Sequence, residues 1–200
     1  MIGIIDYGVG NLKNVQSAVK RLGYDCVVSD KASELADSAG LILPGVGAFG
    51  DSIDMLNQSG LRGFVDDWAA HDRLMLGICV GMQLMFERSH EMGIHEGLGY
   101  LKGEVIPFRG PLKIPHMGWN QLVIVKDSPL VKDIESGEYV YFVHSYYGTP
   151  AEENLIAYTE YGVQAAAIVQ KGNLFATQFH PEKSASAGSK ILKNFLELTK

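Results

Sequence analysis

A thiol, an imidazole and a carboxylate stand in this chain where nucleophilic acyl chemistry needs them: Cys79, then His180 and Glu182 in the run Gln-Phe-His-Pro-Glu. Cys79 sits in Leu-Met-Leu-Gly-Ile-Cys-Val-Gly-Met-Gln, with Gly77 two residues before it and Gly81 two after. Glycines at those positions remove side chains where a strand folds sharply back into a helix, so that the sulfur stands exposed at the strand's end. A helix N-terminus favours the thiolate, and a neighbouring imidazolium favours it further. His180 is expected to take the thiol proton and return it to a departing nitrogen, while Pro181 fixes the backbone so that Glu182 can hold the ring in one tautomer. A lone cysteine in an apolar run is ordinarily a small buried hydrophobe, and Cys26 is read that way. Cys79 differs, because a core-filling cysteine has no use for glycine on both sides. The three residues point to a Cys-His-Glu hydrolase.

A second glycine-rich stretch, Pro44 to Gly50, follows a buried strand of the same expected sheet. Backbone N–H groups there, together with that of Val80, are placed to form an oxyanion hole, typically worth ~3 kcal/mol per donor. The early Gly8-Val9-Gly10-Asn11 is not a dinucleotide loop, since Lys13 stands where the third glycine belongs, and no Gly-Lys-Ser/Thr phosphate loop occurs.

The elements that must hold these residues read as alternating strands and helices. Ile2 to Ile5, Cys26 to Val28, Leu41 to Leu43 and Leu74 to Ile78 are short apolar runs of the kind buried on both faces of a parallel sheet. Between them fall a helix opened by Asn11 and carried by Leu12, Val15, Val19 and Leu22, a short helix at Ser33 to Ala36, and helices over Ser52 to Leu56 and Leu61 to Ala70. Past Gly99 the runs alternate: Glu104 to Phe108, Gln121 to Val125, Tyr139 to His144 and Leu155 to Thr159 read as antiparallel or mixed strands. Ala165 to Val169 and Leu174 to Phe179 form a hairpin that delivers His180, and Ser189 to Leu198 is a closing helix. The expected fold is α/β: a mostly parallel central sheet flanked by helices, with additional antiparallel strands in the C-terminal half.

The 200 residues are expected to form one domain, 1–200, since no linker or repeat divides them. Two unpaired cysteines, with no CxxC and no metal-ligand set, suit a reducing cytoplasm and indicate no metal and no cofactor. The start of the chain carries no basic leader, and no apolar run approaches the ~18 residues of a membrane span. A net charge of −6 with scattered lysines and arginines argues against nucleic acid as a partner.

Gly-Ile-Cys-Val-Gly-Met-Gln and His-Pro-Glu-Lys-Ser, in that order, resemble the triad class of glutamine amidotransferase domains, and the resemblance covers essentially the whole chain. Within that class, Asp-Tyr-Gly-Val-Gly-Asn, Pro-Gly-Val-Gly-Ala-Phe-Gly, Pro-His-Met-Gly-Trp-Asn and Val-His-Ser-Tyr-Tyr are similar to the glutaminase subunits of imidazole glycerol phosphate synthases. The resemblance implies that Cys79 attacks the side-chain carboxamide of glutamine, with Val46 and Val80 as the oxyanion donors. It also implies substrate contacts from Gly45, Gly47 and Gln83, from Glu91 to the α-amino group, and from Ser145 and Tyr146 to the carboxylate. Ammonia released into water would be protonated and lost as a nucleophile, and the chain carries no recognisable acceptor-binding machinery. A partner is therefore expected, and the resemblance implies a (β/α)8-barrel cyclase of histidine biosynthesis that forms a heterodimer through Asn11, Asn14, Pro115, His116, Met117, Gly118, Trp119, Asn120 and Lys183. The rival readings are the glutaminase of another synthase, such as one making pyridoxal phosphate or aminodeoxychorismate, and a catalytically silent domain of the same fold.

Overall fold

The computed structural model describes all residues, Met1 to Lys200. The first half builds β1 (Ile2–Ile5), α1 (Leu12–Arg21), β2 (Cys26–Ser29), α2 (Ala32–Leu35) and β3 (Gly40–Gly45). It continues through α3 (Phe49–Gln58), α4 (Arg62–Ala70), β4 (Met75–Cys79) and α5 (Val80–Leu84). β1, β3 and β4 are buried along their whole length, as expected for a sheet covered on both faces, while the edge strand β2 is half-buried up to Ser29. Helix α1 turns Val15, Ala18 and Val19 into the core and ends on Lys20 and Arg21, whose charges complement the negative end of the helix dipole. Asn11 occupies the N-cap position of α1, but its side chain makes no capping hydrogen bond.

The second half adds β5 (Phe86–Ser89), β6 (His95–Glu96), β7 (Leu101–Pro107), β8 (His116–Gln121), β9 (Val123–Ile124), β10 (Tyr139–His144) and β11 (Tyr146–Gly148). It closes with β12 (Leu155–Glu160), β13 (Gln164–Lys171), β14 (Leu174–Thr177) and α6 (Ala185–Glu197). The central sheet has eight strands in the order β2-β1-β3-β4-β14-β13-β12-β9. Every pairing from β2 to β14 is parallel, and every pairing beyond β14 is antiparallel. The expected α/β architecture, parallel first and antiparallel later, is therefore the observed one. A four-stranded sheet β11-β7-β5-β6 and a two-stranded sheet β10-β8 stand apart from it.

One hydrophobic cluster of 50 buried residues runs through these layers, anchored by Trp68, Phe49, Phe86, Phe142, Phe175 and Phe195. The expected single strand over Gln121 to Val125 is instead two. Strand β8 pairs with β10, and after the fully buried Leu122 the chain changes sheets so that β9 pairs with β12. The closing helix starts four residues earlier than its apolar spacing suggests, at Ala185, because small residues there pack against the Pro181–Lys183 turn. No helix is long and apolar enough to cross a membrane.

What matters for function is the meeting of three strand ends. Gly45 on β3 lies opposite Cys79 on β4, and Ile78 lies opposite Thr177 on β14. The carboxyl ends of adjacent parallel strands thus bring together Cys79 and the segment leading to His180, about a hundred residues apart in sequence.

Candidate active site

Cys79 ends β4 and is the N-cap of α5, with φ of 56° and ψ of −112°. A positive φ at a residue bearing a side chain is strained by ~1–3 kcal/mol and persists only where its surroundings enforce it. The enforcement comes from the flanking glycines. A Cβ on Gly81 would lie 1.9 Å from the carbonyl oxygen of Leu43, and one on Gly77 would lie 2.9 Å from the carbonyl oxygen of Gly81. The elbow is thus a three-way backbone contact between β3, β4 and α5. Gly45 belongs to the same contact, since its Cβ would meet Gly81 N at 2.6 Å. Gly45, expected to touch substrate, is buried against Gly81 and is not among the residues of the cavity wall.

The sulfur opens into a cavity of about 360 Å³ lined by Val46, Gly47, Cys79, Val80, Gln83, Glu91, Pro115, Val143, His144, Ser145, Tyr146 and His180. The volume falls in the ~300–1,000 Å³ range of small-molecule sites. His180 follows β14 and is 2% exposed. Its backbone is held on both sides: its N–H donates to Tyr141 O at 3.2 Å, and its carbonyl accepts from Ser184 Oγ at 2.6 Å. His180 Nδ1 lies 2.9 Å from Glu182 Oε1, and the ring shares the cavity wall with Cys79. Burial alone would disfavour the imidazolium, but the hydrogen bonds and charges of Cys79 and Glu182 outweigh it and raise the pKa from 6.5 to about 9. Glu182 has a side chain only 1% exposed and does not line the cavity, so it stands behind the ring.

Around this centre the other expected contacts fall into place unevenly. Val46 is 38% exposed and reaches the cavity with Gly47, and its carbonyl accepts a long 3.4 Å bond from Ser52 Oγ. Glu91 lines the cavity and also accepts from the Phe49 N–H at 2.7 Å, tying the Ser89 to Gly97 segment to the first turn of α3. Gln83 donates from Nε2 to Tyr146 O at 3.1 Å and to Gln178 Oε1 at 3.0 Å. Ser145 and Tyr146 also line the cavity.

Pro115 to Asn120, expected as a docking segment, does not present six residues to solvent. Pro115 faces the cavity, and the rest is β8, whose side chains alternate across the strand. Met117 and Trp119 point outward at 62% and 52% exposure, and Tyr139, opposite Gln121 at the end of the same two-stranded sheet, is 54% exposed. His116 points inward, is 3% exposed, and stacks between Phe142 and Tyr161 with ring centroids at 4.8 Å and 4.0 Å. Asn120 also turns its amide inward, to His116 Nε2 and the Glu160 carbonyl. Gly118 contributes backbone only. Asn11 is half-buried, Asn14 and Lys183 are exposed, and α1 packs against the turn that carries Lys183.

Sequence reasoning missed three residues here. Gln178 places Nε2 3.8 Å from Cys79 Sγ, His144 lines the cavity, and Tyr7 donates its hydroxyl to the Pro44 carbonyl at 2.8 Å beneath the glycine loop. Burial pushes the Tyr7 hydroxyl upward, so it remains a donor. Only the position of Gln178, two residues before His180 on the same strand end, was a signal in sequence.

Residues 3–198 match the family model for class-I glutamine amidotransferases. The chain is similar to the imidazole glycerol phosphate synthase subunit HisH of Caldanaerobacter subterraneus subsp. tengcongensis, 50% identical over 201 residues that cover 100% of this chain and 99% of the relative. The HisH subunit of Bacillus subtilis is 48% identical, covering 99% of this chain and 96% of its own length. Among solved structures, a chain described as a glutamine amidotransferase superposes with a TM-score of 0.77 at 19% identity, over 99% and 98% of the two chains. A chain of PurLQS from Thermotoga maritima does so at 0.77 and 21% identity, over 100% and 98%. At those identities the structural likeness shows the fold.

Proposed function

The chain belongs to the class-I glutamine amidotransferase family, and from that premise we propose that it is the glutaminase subunit of an imidazole glycerol phosphate synthase, its residues 1–200 acting as one domain. Relatives named as HisH at about half identity across the full length support the assignment to histidine biosynthesis over the glutaminase of another synthase. The observation that carries the chemistry is the strained Cys79 elbow opening into a cavity whose wall also holds His180, with Glu182 hydrogen-bonded to the ring. A silent domain has no need to keep all three together.

In this reading His180 takes the Cys79 proton on Nε2, the ring nitrogen not engaged by Glu182, and the thiolate attacks the glutamine carboxamide carbon. Negative charge collects on the former carbonyl oxygen, and the N–H groups of Val80 on the elbow and Val46 on the glycine loop, both residues of the cavity wall, are the proposed donors to it. The intermediate collapses as His180 returns its proton to the nitrogen, so ammonia leaves and a γ-glutamyl thioester remains. Water then loses a proton to His180, attacks the thioester, and releases glutamate with the thiol restored. Glu182 keeps the ring oriented through both halves. Glu91 offers its carboxylate to the α-amino group, Ser145 and Tyr146 receive the α-carboxylate, and Gln83 and Gly47 complete the substrate wall.

Ammonia needs an acceptor nearby. The outward pair Met117 and Trp119, with Tyr139 at the end of the same two-stranded sheet, supplies the aromatic and Met-rich character that interface cores favour, with Asn11, Asn14 and Lys183 as a polar rim. Their proposed partner is a (β/α)8-barrel cyclase that consumes the ammonia. The test measures glutamate release by the wild type and Cys79→Ala, each alone and with the cyclase and its nucleotide ligand. Cys79→Ala should abolish turnover while still forming the complex, and the partner should strongly stimulate the wild type. Turnover by Cys79→Ala, or equal wild-type rates with and without the cyclase, would overturn the assignment.

A further inference from the structure

The polar groups behind the sulfur have a hydrogen-bond polarity with a single solution. A backbone carbonyl can only accept, and that of Tyr146 receives Gln83 Nε2 at 3.1 Å and His144 Nδ1 at 2.8 Å. The nitrogen end of the Gln83 amide is thereby identified, and the same nitrogen meets Gln178 Oε1 at 3.0 Å. With its oxygen occupied, Gln178 turns its nitrogen toward Cys79 Sγ, 3.8 Å away. On the other side of Tyr146, His144 carries its proton on Nδ1, so its Nε2 must accept from His116 Nδ1 at 2.9 Å. His116 Nε2 then accepts from Asn120 Nδ2 at 3.2 Å.

We propose that Gln178 is an additional catalytic residue: its amide N–H donates to the Cys79 sulfur and stabilises the thiolate, with Gln83 as the positioning residue that keeps that N–H, and not the amide oxygen, facing it, and His144 holding in place the Tyr146 carbonyl to which Gln83 donates. The proposal rests on the reading of Cys79 as nucleophile and adds a group that reading does not contain. Gln178 is fully buried, and the only partners of its side chain are Gln83 and the sulfur. A buried amide oxygen turned toward a thiolate would repel it, whereas an N–H donated to a charged acceptor is among the stronger hydrogen bonds. Burial lowers His144 to about 3 and His116 to about 4, so both rings are neutral near pH 7 and each has the single proton the chain requires.

The readout is the pH dependence of Cys79 alkylation by iodoacetamide in the full chain, followed on the Cys79 peptide, with Cys79→Ala marking the reaction at Cys26. It needs no glutamine and no partner. Of the other titratable groups around the sulfur, His180 with Glu182 behind it, Glu91 on the cavity wall and Tyr7 from the loop after β1 are unchanged in every variant compared, and His144, neutral near pH 7, carries no charge whose loss could move the midpoint. Gln178→Met, which keeps the volume and loses the N–H, should move the midpoint upward by roughly one to two pH units and slow alkylation about 10- to 100-fold below it. His144→Leu should move it in the same direction. His144→Asn, which retains a donor near the place of Nδ1, should restore it, and this pair tests the relay even if Gln178→Met fails to fold. An unshifted midpoint in Gln178→Met, or a His144→Asn profile as displaced as that of His144→Leu, would overturn the proposal. An unreactive Cys79 in the wild type would instead remove the nucleophile assignment beneath it.

Discussion

Acidification from pH 7 to pH 5 should weaken this fold through two particular side chains. Burial holds His116 and His144 neutral, with folded values of about 4 and about 3 against 6.5 for a free imidazole. A depressed histidine means that, between those limits, the unfolded chain binds protons the folded chain refuses, so stability falls as pH falls. At pH 5 each unfolded ring gains ~2 kcal/mol relative to its buried counterpart, and the pair together withdraws roughly 4 kcal/mol. That is a large part of the ~5–15 kcal/mol a domain usually has. The groups packed around the pair do not reverse the sign. His180 and the rings' own mutual repulsion both disfavour charge on His144, while Phe108, Phe142 and Tyr161 are uncharged. The assay is urea denaturation at pH 7 and pH 5 for the wild type and for the double variant His116→Gln with His144→Asn, in which amides replace the titrating rings. The wild type should lose roughly 4 kcal/mol more than the variant over that interval. Equal losses in the two proteins would refute the neutral buried pair.

Two further outcomes follow from the elbow and the triad. Gly81→Ala should destabilise the protein by about 2 kcal/mol or more and abolish hydrolysis, because both atoms of the 1.9 Å clash are fixed by backbone, whereas Gly63→Ala in open space on α4 should be neutral or stabilising in the same thermal melt. Comparable melting shifts would show the elbow to be slack. Glu182→Gln should lower kcat by roughly 10³-fold while leaving the KM for glutamine nearly unchanged, since Glu182 orients His180 from behind and does not line the cavity. A main effect on KM in steady-state kinetics would place that carboxylate elsewhere.

The parallel half of the fold was legible because its strands are apolar runs with no polar face. Glycine framing singled out Cys79 because a crowded turn of backbone on backbone is what excludes a side chain on both sides of one residue. The hairpin carrying His180 announced itself through Lys171-Gly172-Asn173. Strand β8 did not, since His-Met-Gly-Trp-Asn-Gln holds no β-branched residue and its alternation divides a buried polar row from an exposed apolar one. That inversion is also why a contiguous docking segment was expected where only Met117 and Trp119 reach out. His144 and Tyr7 were invisible, and Gln178 legible only by its place before His180, for a different reason. A buried polar side chain declares its role through its hydrogen-bond partners, and theirs lie 37 to 99 positions away or on a neighbouring backbone carbonyl.

The neighbouring of β4 and β14 has a bearing on how the protein is made. Every strand between them in sequence is built on other pairings, so the slot beside Cys79 stays empty until the penultimate stretch of chain arrives to fill it. During synthesis the thiol is present for about a hundred residues before its base is. A chain that has not yet added β14 and His180 carries the thiol without its paired base, so the two reacting groups are brought together only when that strand docks beside β4.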